Sequence, residues 1–322
     1  RIFGAGQGFP KEKEMNLLQN RSYILIDIPQ EMTNTFQSMD VFGAGAYSGL
    51  GMDVPPSDVT AHPYKASAVI DLFEGRIKDV FGASYKEGVT RRTVVNVPTG
   101  STIHVNRLFG GGYGISNDVP CDAYETNVNY HSSTAVTSGN PDDVENNNQK
   151  AGGIYGGNNN FRRTLYAKVN IDAKVVQNKD NGYTARVFGA GYGKDTWAQY
   201  TEVNLLSGAN VYEAYGGGYG GMVLNKESVD AWNSYTYQDE NGDEQTATID
   251  KTLGEDYEDD GGLDNPLVIR NKLGVEKTNT NVNIEQGAWV GNYCYGGGLG
   301  ADATVSGTTY IGLHGGGVNK DL

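Results

Sequence analysis

Thr201-Glu-Val-Asn-Leu-Leu-Ser-Gly-Ala-Asn-Val-Tyr-Glu-Ala-Tyr-Gly-Gly-Gly-Tyr-Gly220 is the stretch on which the fold turns. Val203 and Leu205 alternate with Glu202 and Asn204, a period of two that predicts a strand with one apolar and one polar face. Ser207-Gly208 interrupts the alternation, a second short strand leads to Tyr215, and a run of glycines follows. The same order returns elsewhere: Thr93 to Val97 precedes Phe109, and Thr280 to Ile284 precedes Tyr295.

The ring-plus-glycine phrase recurs along the whole chain as IFGAG (2–6), VFGAG (41–45), VFGAS (80–84), LFGGGYG (108–114), IYGG (154–157), VFGAGYG (187–193), AYGGGYG (214–220) and CYGGGLG (294–300). A final LHGGG (313–317) puts His314 in the place of the ring. Spacings between successive phrases run from 19 to 80 residues, so a constant unit carries inserts of variable length. A unit of two short strands cannot bury an apolar face alone; stacked neighbours bury it together. The expected fold is all-β, a β-solenoid (β-helix-like) of stacked glycine-rich coils with irregular loop inserts at about 46–65, 115–152 and 222–273. A glycine-rich β-propeller or sandwich of hairpins is the alternative, and the 19-residue spacing favours a single coil over a propeller blade of ~40 residues. Phe3, Phe42, Phe81, Phe109, Tyr155, Phe188, Tyr215 and Tyr295 are expected to form an internal ladder, coils lying ~4.8 Å apart. The glycines after them are read as sharp turns at positive φ and as points of close backbone approach. The best helical candidate is residues 11–20. The whole chain, 1–322, reads as one repeat array, and ring phrases at both ends without a polar cap suggest part of a longer one.

Composition agrees. There are 46 glycines in 322 residues, about twice the average share of roughly 7%, without the Gly-X-Y period of collagen. The 21 tyrosines argue against disorder. Net charge is −14, from 25 Lys plus Arg against 39 Asp plus Glu, which argues against nucleic acid or an anionic membrane surface as partner. No apolar run approaches the ~18–20 residues of a membrane span.

Chemistry-bearing motifs are sparse. Cys121 and Cys294 lie far apart on a stack and read as unpaired small apolar residues. Asp239, Asn241, Asp243 and Asp250 fill the first, third, fifth and twelfth places of a calcium-like loop, but Glu244 stands where the sharp-turn glycine belongs. A solvated acidic hairpin tip is the competing reading; calcium is kept as a weak possibility and no other cofactor is expected. The run Glu255 to Asp260 reads as a solvated charge cluster. His62, His104, His131 and His314 lack metal-ligand spacing. Tyr113, Tyr192 and Tyr219 follow the glycines directly, and rings exposed beside a turn suit sugar faces or a docking protein; an additional internal ladder is the other reading.

Phrases such as LFGGGYG, AYGGGYG and CYGGGLG after Thr-x-Val-x-Val/Ile strands resemble the glycine-rich β-helical surface proteins of bacteria, adhesins and autotransporter-like passenger domains among them. The resemblance covers nearly the whole chain outside the inserts. It implies an extracellular or bacterial cell-surface location and a non-enzymatic structural or adhesive role. Expected partners are a glycan, a host or neighbouring protein, or a second copy through uncapped ends. Two alternatives stay open: a polysaccharide lyase or hydrolase on a parallel β-helix, and a self-assembling fibre or phage-appendage subunit.

Overall fold

A computed structural model describes residues 1–6, 21–29, 38–47, 50, 67–116, 119, 121–137, 153–178, 183–224, 234–238, 244–248 and 278–320. The candidate helix at 11–20, most of the stretches 46–65 and 222–273 and all four residues of the calcium-like loop lie outside them. The stretch 115–152, expected to be an insert, instead contributes Cys121–Tyr130 to the row of long strands, paired with Gly88–Val97 and Asn159–Ile171. Among the described residues the protein is all-β, without helix. No helix there is long and apolar enough to cross a membrane.

Two eleven-stranded sheets carry the architecture. One contains a row of long strands, in the order Arg21–Asp27, Ser67–Glu74, Gly88–Val97, Cys121–Tyr130, Asn159–Ile171, Tyr192–Leu205, Thr278–Glu285 and Thr308–His314. The other contains the ring strands, Ile2–Phe3, Val41–Phe42, Arg76–Phe81, His104–Phe109, Gly153–Tyr155, Arg186–Phe188, Ala214–Tyr215 and Cys294–Tyr295. Spatial order follows chain order in both rows, and neighbours within each pair in parallel. A smaller parallel sheet joins Asn210–Val211, Trp289–Val290 and Gly317–Val318.

Register explains the recurring Thr-x-Val-x-Val pattern. Ile24, Ile70, Val95, Val128, Val169, Val203, Val282 and Ile311 occupy one column, each opposite its counterpart on the next strand. All but the terminal Ile24 and Ile311 are fully buried. Two places earlier stand Ser22, Ala68, Thr93, Thr126, Ala167, Thr201, Thr280 and Thr309, each against the glycine that follows a ring. Thr93, Thr126, Thr201 and Thr280 donate their hydroxyls at 2.6 Å to the carbonyls of Gly110, Gly156, Gly216 and Gly296. Each bond ties a long strand to the ring strand one repeat further on. Thr126→Val keeps the shape but strands the buried Gly156 carbonyl, at an expected cost of about 1–3 kcal/mol in a urea melt. Thr309→Val, at the exposed last place in this column, is expected to change stability by less than about 0.5 kcal/mol.

The rings form the expected ladder. Successive centroids from Phe3 to Tyr295 lie 4.8–5.3 Å apart with interplanar angles of at most 20°. The final phrase departs from the sequence reading: His314 closes the last long strand, in register with Glu285 rather than with Tyr295. The glycines also divide their labour differently. Those directly after a ring carry no positive φ; that conformation belongs to Gly193, Gly220 and Gly300 at the phrase ends and to turn residues such as Gly208 and Gly287. Close approach alone explains the first set.

Candidate functional site

Beside the ring ladder the strands align two further sets of side chains: tyrosines at the glycine corner and, two residues before six of the eight rings, a charge. Each follows from its distance in sequence from the ring, because the repeats hold register.

Tyr85, Tyr113, Tyr192 and Tyr219 are half-buried and pack against the ring cluster. Tyr113, Tyr192 and Tyr219 meet Phe81, Tyr155 and Phe188 edge-on, at 5.8, 5.7 and 5.9 Å. Tyr192 and Tyr219 stack face to face at 5.2 Å and 5°, so each covers a face that would otherwise meet a sugar. Asn159 separates Tyr113 from Tyr192 in register. The three tyrosines singled out from sequence therefore share one corner of the molecule.

The charged column is more completely paired. Asp79 and Arg107 are partners in register and form a two-pronged ion pair at 2.7 and 3.2 Å. Arg186 pairs with Glu213, which also accepts from the Tyr215 hydroxyl at 2.8 Å. Between the two pairs stands Gly153, in register with both Arg107 and Arg186. Arg1 reaches Asp40 at 3.5 Å at the start of the column. Burial works against the charge on Arg107, yet the hydrogen bonds and charge of Asp79 hold its pKa above the ordinary value. Burial raises the Asp40 carboxyl, with Lys78 pulling the other way and Asp79 adding to the rise. Burial likewise pushes the Tyr215 hydroxyl upward, assisted by Glu213.

Similar pairing spans the long strands. Asp122 accepts from Arg162 at 3.0 Å and from Arg163 at 2.8 Å. Glu202 accepts from Tyr166 and lies 3.9 Å from Lys168. An asparagine ladder runs down the polar face, Asn283 to Asn204, Asn170, Asn129, Asn96 and finally Asp71, each amide donating to the next oxygen at 2.7–2.9 Å. Gly312 takes the next place in the column, which leaves the buried Asn283 Oδ1 without a donor among the described residues. The signal for this ladder was present as the repeated Val-Asn pair, but sequence alone marks it only as a polar face.

The other carboxylates, histidines and cysteines are scattered. Glu202 lies opposite Asn281 and Glu285 opposite His314, so these two carboxylates belong to different columns. His131 contacts Asp172 at 2.8 Å, while His104 stands in register with Arg76 and Val136. Cys121 and Cys294 are free and buried, and burial pushes the Cys294 thiol up to about 12. Among the described residues no group of three or more His, Cys, Asp or Glu is placed to hold a metal. No family model, curated protein or solved structure matches the chain.

Proposed function

We propose that this chain is a β-solenoid scaffold of an extracellular or bacterial cell-surface protein, non-enzymatic, that holds its inserts out to bind a glycan or another protein. One observation carries the reading: the buried charges are engaged from repeat to repeat. Asp79 with Arg107, Asp122 with Arg162 and Arg163, and Glu213 with Arg186 brace neighbouring strands. Breaking a buried pair by removing one partner is costly, and pairing favours one register over its alternatives. Such a surface suits a rigid support better than acid-base chemistry, where a glycosidase needs two carboxylates facing each other across ~5–9.5 Å.

Support for the solenoid comes from the path of the chain. Long strand and ring strand alternate, and each pairs in parallel with its counterpart one repeat on. The blades of a propeller and the leaves of a sandwich are built from antiparallel neighbours. Function on such scaffolds resides in loops carried by a rigid frame, and the longest insert here spans 222–273.

The test is a glycan-array and host-protein binding screen of the 322-residue chain beside a variant in which residues 225–277 are replaced by a short Gly/Ser linker. Binding by the intact chain and its loss on deletion, with the far-UV dichroism of the strands retained, is the expected result. Binding by neither form would overturn the adhesive role and leave a purely structural one.

A further inference from the structure

The asparagine ladder contains a vacant rung. Each amide donates from Nδ2 to the Oδ1 of the asparagine before it, so each Oδ1 faces the rung that follows. Asn283 Oδ1 faces Gly312, which has no side chain to offer and is itself buried. Two neighbours lean into the space instead. A Cβ built on Gly312 would land on the Nε2 of His314 and lie 3.0 Å from the Tyr310 hydroxyl. Asn283 is only 7% exposed. Its Oδ1, the Tyr310 hydroxyl and the His314 Nε2 have no hydrogen-bond partner among the described residues. Three polar atoms thus gather about one spot, and the buried one is costly to leave unpaired.

These atoms dictate what can fill the rung. An amide oxygen only accepts, so the guest must donate; a tyrosine hydroxyl and an imidazole nitrogen can each return a hydrogen to it. An amide meets both demands, as every other rung of the ladder does. Its N–H donates to Asn283 Oδ1 and its carbonyl accepts from Tyr310 or His314. The surroundings choose among amides. Tyr310 is half-buried beside the gap, and a ring of this kind suits the C–H face of a sugar. Glu285, in register with His314, can accept from sugar hydroxyls. His314 is exposed and makes no side-chain hydrogen bond among the described residues, so its ring can swing aside to admit a guest.

We infer that Asn283, Tyr310 and His314 bind the acetamido group of an N-acetylated amino sugar, seated in the vacant rung between Thr278–Glu285 and Thr308–His314. The inference rests on the reading of the chain as a glycan-binding protein, but it places a site on the frame itself rather than in the inserts.

Isothermal titration of the 322-residue chain with N-acetylglucosamine, glucosamine, glucose and N-methylacetamide tests it. The N-acetylated sugar is expected to bind about tenfold more tightly than any of the other three, the worth of the two hydrogen bonds that the acetamido group adds. Gly312→Asn supplies the missing rung from the chain itself. Its Cβ displaces only the far ends of the His314 and Tyr310 side chains, and Gly312 has no positive φ to resist the change. This variant should melt no lower than the parent and bind the sugar about tenfold more weakly. Tyr310→Phe keeps the ring and removes the hydroxyl, so binding should weaken severalfold at an unchanged melting temperature. Equal binding of glucose would overturn the acetamido contact, and equal binding of N-methylacetamide would overturn the sugar. Undiminished binding by Tyr310→Phe, or no binding by the parent, would overturn the site. Sugar binding that survives Gly312→Asn belongs elsewhere on the chain; it would overturn this site and leave the inserts as the glycan-binding part.

Discussion

Phe188→Ala is expected to remove about 3–5 kcal/mol of stability, the largest loss from any single side-chain truncation in the ring ladder. Phe188 is fully buried, stacked on Tyr155 at 4.9 Å and 3° and on Tyr215 at 4.9 Å and 10°. Tyr219 closes a third side edge-on at 5.9 Å. Removing the ring takes a large apolar surface out of the core and leaves a hole whose walls are held by strands on either side. Those strands cannot collapse into it, because the backbone bonds of Gly156 to Phe188 and of Gly189 to Tyr215 fix the spacing of the repeats. The stacking contribution, about 0.5–1.5 kcal/mol per aromatic pair, is lost twice. Tyr295→Ala is the matched control: Tyr295 stacks on one ring of the ladder and is 40% exposed. Its loss should be under about half as large in the same denaturant titration. Equal losses at the two positions would show that the ladder contributes little beyond ordinary burial.

Gly189→Ala tests the other half of the phrase, and here a single methyl group is expected to be as damaging as a lost ring. Its Cβ would land on the Gly216 carbonyl oxygen and lie 2.9 Å from the Thr201 Cβ. Both obstacles are firmly held: one is backbone of the following repeat, the other a β-branched residue bonded at 2.6 Å to that same carbonyl. Relief requires the repeats to separate, which stretches the bond from Gly189 to Tyr215 and parts the rings of Phe188 and Tyr215. Overpacking of a tight core costs about 1–3 kcal/mol and sometimes more; this site belongs at or beyond the upper end, with loss of soluble folded protein one form of the result. Gly297→Ala, where nothing lies within 4 Å, should leave the melting temperature unchanged. Because Gly189 has no positive φ, the comparison isolates close approach from conformational freedom. A Gly189→Ala protein as stable as its parent would remove close approach as the reason for the repeated glycines.

Much of this arrangement was legible in the residues themselves. The alternation of Val203 and Leu205 with Glu202 and Asn204 specified the strand. The ring phrases located the ladder from Phe3 to Tyr295, since a repeated unit with one buried face can only be satisfied by its neighbours. Less was legible where a residue's role depends on which repeat lies opposite it. Arg107 and Asp79 are 28 residues apart and Arg186 and Glu213 are 27, and nothing in either neighbourhood names the other as partner. His314 shows the opposite error: local similarity placed it with the rings, whereas pairing carries it to Glu285.

By itself, then, the order of amino acids determined strand period, the identity of the repeat and the apolar columns, because these depend on spacing within a few residues and on the hydrophobic effect. Only the tertiary structure decided parallel register, the pairing of buried charges and the asparagine ladder. Hydrogen bonds and ion pairs are short-ranged and directional, so they come into being only when distant segments are brought to within about 3 Å of each other.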